Sequence, residues 1–292
     1  MLPFREMNMR NQIIDIRPYG PVGAEIYGVD LREPLSDQAY LETRQALNMY
    51  GVLFFRDQAI SPDQHLAFAQ RFGKLNVSQF LAPVPGHPGI AEVRKEPEQT
   101  HNVGGGWHTD HSYDQTPALG SVLVARELPD FGGDTLFVNM VAVFESLSDG
   151  LKNTLLSMRA VHTNAHVFGP KRPASRGAIS DQMKNTDKAV QEAVHPVVIR
   201  HPESGKRVLY INQTYTIRFD GWSEDESQPL LNYLFRYATR PEFSSRFTWR
   251  DGSIAFWDNR STWHFAVNDY HGDRRLMHRV TIEGTRLEPA IM

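Results

Sequence analysis

The chain has 292 residues, of which 40% are hydrophobic and 22% are charged, so it is long and apolar enough to bury a full core in water. A formal charge of −3 gives no general attraction to nucleic acid. The absence of cysteine excludes disulfides, thiolate metal sites and iron–sulfur clusters, and it leaves His, Asp and Glu as the strong metal ligands.

Apolar residues never run for the roughly 20 positions that a membrane helix needs, and the first residues lack the apolar segment of a secretion signal. We therefore expect a cytoplasmic protein that binds neither membrane nor nucleic acid. Its dense cationic stretch, which suits a small anion, consists of Arg274, Arg275, His278 and Arg279. The sequence leaves the oligomeric state open, and a homo-oligomer is among the states that it allows.

Strand and helix patterns alternate in the first hundred residues. Strands rich in Ile, Val and Phe are predicted at 12–17, 23–27 and 51–55. Ser61, followed by Pro62 and Gln64, forms a capping box that predicts a helix start, and Gly73 is predicted to end this helix.

The rest of the chain reads as a sheet with an insertion. From Trp107 to Met140 the pattern is strand-like, and a helix is predicted at 141–158. The segment 164–193 is polar and long, which is typical of a functional lid. A second capping box at Ser223 predicts a helix that ends near residue 237. Further strands are predicted at 120–125, 135–139, 194–201, 208–212, 252–257, 262–267 and 276–283.

This order of elements favours a mainly β, α+β fold: a sandwich or jelly roll decorated by helices, in a single domain that covers residues 1–292. A doubly wound nucleotide-binding fold fits less well. The glycines at 104–106 lead into Trp107 and His108 instead of a helix start.

His108 and Asp110 are the leading candidates for metal ligands. Residues two apart on a strand point to one face, about 6.6 Å apart along the strand, so both side chains can reach one ion. With a second imidazole they form the facial arrangement that leaves positions open on non-haem Fe(II). Taken alone, the pair fits an ordinary structural role, such as a salt bridge or a turn bond, somewhat better than metal binding. Similar patterns at 201–203 and 271–273 lie in turn sequences and are weaker candidates.

The third ligand must come from elsewhere in the chain, and we favour His264. If the chain reverses around residues 271–272, antiparallel pairing places His264 beside residues 277–279. Arg275 and Arg279 share one strand face there, which predicts two anion sites beside the metal, although a solvated basic strand also fits. The other candidate histidines are His162, His166 and His195.

At these residues the chain resembles the taurine dioxygenase family of 2-oxoglutarate-dependent oxygenases, which includes alkylsulfatases and aryloxyalkanoate dioxygenases. The resemblance implies a double-stranded β-helix, a cupin-like jelly roll, with iron at one mouth. It also implies that Fe(II), 2-oxoglutarate and O2 are used to hydroxylate a small organic anion, which then breaks down, with release of succinate and CO2. The matching segments are 23–26, 28–31, 107–110, 132–135, 257–259 and the arginine pair.

The resemblance implies a role for each matching residue. His108, Asp110 and His264 match the iron ligands, and Thr135 and Arg275 match the residues that hold the distal carboxylate of 2-oxoglutarate. Arg279 and Tyr215 match residues that contact the acidic group of the substrate. Polar residues of taurine dioxygenase are replaced here, which argues against taurine and predicts room for a more apolar substrate; the replacing residues are Ser78, Leu81 and Gly104.

Two other classes of protein stay open at this stage. A zinc hydrolase could use the same three ligands, but it would need a base that the sequence does not offer, and it would leave Thr135 and Arg275 unexplained. A non-catalytic jelly-roll binding protein would be expected to lack at least one ligand position, whereas all three are present.

Overall fold

A computed structural model describes residues 12–169 and 190–290 of the chain. These residues form strands β1 (Asp15–Pro18), β2 (Ala24–Tyr27), β3 (Val52–Phe55), β4 (Leu75–Asn76), β5 (Pro83–Val84), β6 (His87–Lys95), β7 (Gly120–Glu127), β8 (Thr135–Asn139), β9 (Arg159–Thr163), β10 (Glu192–Pro196), β11 (Val198–Arg200), β12 (Arg207–Leu209), β13 (Thr216–Phe219), β14 (Ser244–Phe247), β15 (Ile254–Asp258), β16 (Thr262–Ala266), β17 (Arg275–Ile282) and β18 (Glu288–Pro289). Their helices are α1 (Asp37–Tyr50), α2 (Pro62–Gln70), α3 (Met140–Ser146), α4 (Asp149–Leu156) and α5 (Glu224–Ala238).

Two sheets pack around the core that supports the site. The main sheet has the order β1-β2-β3-β15-β7-β17-β6-β5, with β4 also paired to β17, and the smaller sheet has the order β14-β8-β16. Trp257 and Met277 of the main sheet share one core with Phe137 and Phe247 of the smaller sheet. This sandwich agrees with the predicted jelly roll. Two further three-stranded sheets have the orders β10-β9-β13 and β12-β11-β18.

The outer face of the main sheet is covered by α1 and α2. Alternation along β15 decides which side chains face them, since Phe256 packs with Phe68 and Phe72 of the helical layer while the next residue, Trp257, faces the inner core. None of the helices in the described ranges is long and apolar enough to cross a membrane.

Local capping signals predicted two helices well. Ser61 accepts a hydrogen bond from Gln64 N at 3.2 Å, and the Gln64 side chain accepts one from Ser61 N at 2.8 Å. The equivalent capping box of Ser223 and Glu226 is also present at the start of α5. The predicted end of α2 at Gly73 is wrong, because the helix already ends at Gln70, with Arg71 as its C-cap.

The single helix predicted at 141–158 is wrong. The chain forms α3 and α4 instead, because Leu147 adopts an extended conformation and Ser148 is the N-cap residue of the second helix.

The single strand predicted at 194–201 is also wrong. Residues 192–196 pair with β9 and residues 198–200 pair with β12, so the two pieces belong to different sheets.

The predicted lid at 164–193 lies largely outside the described residues, which omit 170–189. Its two ends are held together, since Asn164 is fully buried and its Oδ1 atom accepts a hydrogen bond from Gln191 N at 3.0 Å. The predicted lid ends two residues too late, because Glu192 and Ala193 already belong to β10.

Candidate active site

The three predicted metal ligands lie together. Ligand atoms of His108, Asp110 and His264 all lie within 4.8 Å of one another, and no other group of three such side chains occurs in the described part of the chain. Each of the three residues is buried, with an exposed fraction of 6% or less. His162, His166 and His195, the rejected candidates, are not part of this group.

The backbone brings His108 and His264 together in a way that the sequence did not predict. Residues 107–110 do not form a strand; His108 makes a single antiparallel bridge with His264, with hydrogen bonds of 3.1 Å and 2.8 Å in the two directions. The predicted hairpin between the last two strands is wrong, because β16 pairs with β8 whereas β17 pairs with β6 and β7. His264 therefore reaches the site from the smaller sheet.

Burial prepares both imidazoles as ligands, and a hydrogen bond also orients His108. His108 Nδ1 lies 2.7 Å from the Gly106 carbonyl oxygen, which can only accept, so Nδ1 carries the proton and the Nε2 lone pair is available for a metal. Burial lowers the pKa of His108, and burial together with the neighbouring His108 lowers the pKa of His264 further. Both rings are therefore neutral at pH 7, as metal binding requires.

Asp110 supplies the negative charge. Burial raises the pKa of this carboxyl, but its surroundings, above all the Arg279 guanidinium, lower it by more, so the net pKa lies well below its usual range. Arg279 Nη1 donates to Oδ1 at 2.9 Å and Ser121 Oγ donates to Oδ2 at 2.9 Å. Sequence reasoning missed Ser121, since no local pattern marks a serine on a distant strand as a partner of Asp110.

Arg275 and Thr135 lie near each other, at the first positions of β17 and β8. Trp249 connects them, because its Nε1 atom donates to Thr135 Oγ1 at 3.0 Å and its ring lies 5.8 Å from Arg275 Cζ. Only 4% of Arg275 is exposed, and its Nε and Nη2 atoms have no hydrogen-bond partner among the described residues. A buried guanidinium with unused donors fits an anion such as a carboxylate.

Gly133 makes room for this guanidinium. Its φ of +70° favours glycine, and a Cβ atom at this position would lie 3.1 Å from Arg275 Cδ. The glycine of the 132–135 motif thus has a packing reason beside the arginine.

A cavity of about 230 Å³ adjoins the metal ligands. Four of the predicted substrate residues, Leu81, Gly104, Tyr215 and Arg279, line it. Ser78 does not line this cavity; its Oγ atom accepts a hydrogen bond from Leu81 N at 3.0 Å and so shapes the turn before Leu81.

One wall of the cavity is aromatic. We call it the aromatic wall: Tyr113, Phe168 and Tyr215 line the cavity, and Phe80 belongs to the same buried cluster without lining it. Phe80 and Phe168 are stacked at 5.1 Å, and Tyr113 meets Tyr215 edge to face at 4.9 Å. The sequence did not single out Tyr113, although an aromatic residue three positions after Asp110 was a signal that could have found it, and Phe168 lies in the segment predicted as a lid.

Fold and site together define a jelly-roll protein with a His-Asp-His metal centre beside a buried cationic pocket. Residues 15–281 match the family described as "Taurine catabolism dioxygenase TauD, TfdA family". The chain belongs to this family.

Similar proteins cover nearly the whole chain. An alkylsulfatase of Acinetobacter baylyi is 36% identical over 91% of this chain and 83% of its own length. An alpha-ketoglutarate-dependent sulfate ester dioxygenase of Pseudomonas putida is 34% identical over 93% of this chain and 90% of its own. The crystal structure of a taurine dioxygenase from Burkholderia xenovorans has a TM-score of 0.78 and 33% identity, and it covers 96% of this chain and 95% of that one.

These findings confirm the predicted fold and class. The protein is a 2-oxoglutarate-dependent dioxygenase, an oxidoreductase that uses Fe(II), 2-oxoglutarate and O2. The residues present fit the metal, because two neutral imidazoles and one carboxylate form the facial donor set of non-haem Fe(II). A zinc hydrolase is not favoured, since Asp110 is the only carboxylate among the described residues that line the cavity, and it belongs to the donor set.

Proposed function

We propose that this dioxygenase hydroxylates a small organic anion with an apolar body at a carbon next to a heteroatom, so that the product breaks apart. Alkyl sulfate esters are our first choice, followed by alkylsulfonates and aryloxyalkanoates. One observation carries the proposal: a cationic side chain, Arg279, and three of the four rings of the aromatic wall line the same cavity as His108 and Asp110.

In this proposal His108, Asp110 and His264 hold the iron. Bound there with 2-oxoglutarate, Fe(II) activates O2 for oxidation of a substrate C–H bond, with succinate and CO2 as the other products. Arg275 and Thr135 bind the distal carboxylate of 2-oxoglutarate and so orient this co-substrate. The unused Nε and Nη2 donors of Arg275 support this role, because a carboxylate can accept from two guanidinium nitrogens at once.

Arg279 binds the anionic group of the substrate. One of its nitrogens, Nη1, already donates to Asp110, which orients the guanidinium, and its buried Nε atom has no partner in the ranges 12–169 and 190–290. A sulfate or carboxylate group can therefore accept from Arg279 without breaking the pair with Asp110. Because a largely desolvated cation in a small cavity selects anions, the same contact disfavours neutral substrates.

The apolar body of the substrate packs on the aromatic wall and Leu81. Tyr215 is held in place by Asn212, whose Oδ1 atom accepts a hydrogen bond from Tyr215 N at 2.8 Å. The wall excludes water from the reacting carbon, and Gly104 leaves space above the His108 ring. Sulfate esters rank first because the two relatives above with the highest identity are named for alkylsulfatase and sulfate ester dioxygenase activity.

Succinate formation across a panel of anions tests the proposal. The protein with Fe(II), 2-oxoglutarate and O2 is given alkyl sulfates of several chain lengths, alkylsulfonates, aryloxyalkanoates and taurine, and each reaction is analysed for succinate and for sulfate, sulfite or phenol. We expect substrate-dependent succinate with one equivalent of the cleaved product from alkyl sulfates. Succinate that never exceeds the level without substrate would contradict the proposal, and the same protein with Zn(II) is the control.

A further inference from the structure

Ser121 makes a contact with the metal centre that neither substrate nor 2-oxoglutarate binding explains. It is the second residue of β7, it is fully buried, and its hydroxyl lies 2.9 Å from Asp110 Oδ2. We propose that Ser121 is a positioning residue that fixes the Asp110 carboxylate for metal binding. This inference rests on the metal site and not on the substrate proposed above.

The direction of each hydrogen bond around Ser121 follows from chemistry. Asn259 Oδ1 lies 2.8 Å from Trp257 Nε1 and 3.3 Å from Asp110 N, and both of these groups can only donate. The amide oxygen of Asn259 must therefore face them, which turns Nδ2 towards Ser121 Oγ at 3.4 Å. Ser121 accepts this bond and directs its single proton to Asp110.

Rigid parts of the fold hold this chain of hydrogen bonds. Ser121 lies on a strand that is paired on both sides, opposite Trp257 of β15 and Thr281 of β17. Asn259 N donates to Leu119 O at 2.9 Å, so the amide is anchored as well. Because neither partner can turn away without breaking other bonds, the plane of the Asp110 carboxylate is set before a metal arrives.

Ser121 and Arg279 hold different oxygens of Asp110 and have separable effects. Arg279 is charged and lines the cavity, so its removal affects the substrate as well as Asp110. Ser121 is neutral and does not line the cavity. Loss of its hydroxyl should therefore weaken metal binding directly.

Binding of Mn(II) alone, measured from the free Mn(II) signal in electron paramagnetic resonance, tests the proposal. Loss of an outer hydrogen-bond partner typically weakens metal affinity about 10- to 100-fold, so Ser121→Ala should lose that much while Ser121→Thr should stay within about threefold of the parent. Ser227→Ala is the matched control, since Ser227 is a fully buried serine on α5 that accepts from Phe219 N at 3.0 Å. Its Mn(II) affinity should equal that of the parent.

A second pair of variants separates the loss of the hydroxyl from a change in side-chain volume that could disturb folding. Ser121→Val and Ser121→Thr have nearly the same volume and differ in the hydroxyl, so the Val variant should bind Mn(II) at least about tenfold more weakly than the Thr variant. Parent-like affinity in Ser121→Ala, or equal affinity in the Val and Thr variants, would overturn the proposal. Equal weakening in Ser227→Ala would do the same. No substrate is present, so an incorrect substrate assignment leaves these outcomes unchanged.

Discussion

Arg279 and Asp110 form an ion pair at the centre of the site, with Arg279 Nη1 2.9 Å from Asp110 Oδ1 and side chains that are 13% and 5% exposed. The same carboxylate belongs to the metal donor set. With a metal bound and the substrate placed as proposed, the substrate anion, Arg279, Asp110 and the metal would form a row of alternating charge. Because the pair is largely desolvated, the electrostatic interactions between these charges are stronger than they would be in water. Removal of one charge should therefore change the binding of the others.

Replacement of Arg279 by methionine should separate substrate binding from metal binding. A hydrogen bond to a charged group contributes about 1.5–3 kcal/mol, so Arg279→Met should raise the substrate KM roughly 10- to 100-fold. Mn(II) affinity should not fall, because the lost guanidinium competes with the metal for Asp110. Steady-state kinetics and Mn(II) titration measure the two effects. Tyr215→Phe removes only the hydroxyl, which the family resemblance places against the acidic group of the substrate, so it should raise the substrate KM as well, with metal binding intact.

Arg274→Met is the control for Arg279→Met. Arg274 precedes β17, its side chain is 37% exposed, and its Nε atom pairs with Glu96 at 3.0 Å. We expect its removal to leave the substrate KM unchanged. An unchanged KM in Arg279→Met would mean that the anion of the substrate binds elsewhere.

Replacement of Arg275 should weaken 2-oxoglutarate binding without destabilising the protein. Two of its buried nitrogens lack partners within the described residues, and an unsatisfied buried donor costs about 1–3 kcal/mol. Arg275→Met should therefore leave the protein without 2-oxoglutarate at least as stable as the parent, while the KM for 2-oxoglutarate rises roughly 10- to 100-fold. Urea unfolding and steady-state kinetics test this.

Arg56 provides the comparison for Arg275. Its guanidinium donates to Glu25 at 2.9 Å and to the Thr248 carbonyl at 2.8 Å, so Arg56→Met removes satisfied bonds. This variant should be less stable than the parent and should keep its KM for 2-oxoglutarate. If Arg275→Met were the less stable of the two and bound 2-oxoglutarate normally, the role proposed for Arg275 would be wrong.

Features set by neighbouring residues were predictable from the sequence, and features set by sheet pairing were not. The capping box at Ser61 depends on four consecutive residues, so it could be read directly. His108 and Asp110 were found because they are two residues apart. The approach of His264 was expected through a hairpin with β17, but β16 pairs with β8 in the opposite sheet. A single sequence does not record which sheet a strand joins.

The same limit applies to the surroundings of the metal ligands. Ser121 touches Asp110 only because β7 lies beside β15 and β17, and Phe168 reaches the cavity from a segment that the sequence marked as a polar lid without singling out this residue. Resemblance to a family supplied the matching positions of Arg275 and Arg279. It did not supply the ion pair between Arg279 and Asp110, which is a property of the packed structure.

Asp258 should make the stability of the protein sensitive to acid. It is fully buried, and it accepts hydrogen bonds from His201 Nε2 at 3.0 Å and from Arg260 Nε at 2.9 Å. Burial raises the pKa of Asp258, but Arg260 and His201 lower it by more, so the folded-state pKa lies well below that of the unfolded chain. A lowered pKa stabilises the fold above the unfolded value of about 4, and this stabilisation is lost as the pH falls below it.

Asp258→Asn tests whether ionised Asp258 stabilises the fold at neutral pH and loses this effect in acid. At neutral pH the variant should lose about 3–5 kcal/mol of unfolding free energy, because the buried Arg260 is left without its main partner. The gap between parent and variant should narrow as the pH falls below about 4. Urea unfolding at a series of pH values measures this difference in unfolding free energy. Asp30→Asn, which removes an exposed ion pair with Arg32, is the control and should have a much smaller effect. A gap that widens in acid would contradict the assignment.

Gly104 should set the size of substrate that the cavity accepts. Its φ is +84°, and a Cβ atom there would lie 3.4 Å from His108 Cε1 and 3.6 Å from Ala266 Cβ. Asparagine tolerates this left-handed conformation better than most residues, so Gly104→Asn should keep the backbone while filling the space beside His108. Overfilling a packed site typically costs about 1–3 kcal/mol, so kcat/KM for long-chain or aryl anions should fall roughly tenfold or more.

The decisive quantity is the ratio of kcat/KM for a long alkyl sulfate to that for a short one. Short anions leave the space beside Gly104 free, so their kcat/KM should change little and the ratio should fall. Gly86→Asn is the matched control, because Gly86 has a φ of +78° and nothing within 4 Å of its Cβ position. An equal loss for both chain lengths, together with weaker Mn(II) binding, would mean that the new side chain displaces His108 and that Gly104 protects the metal site instead of selecting the substrate.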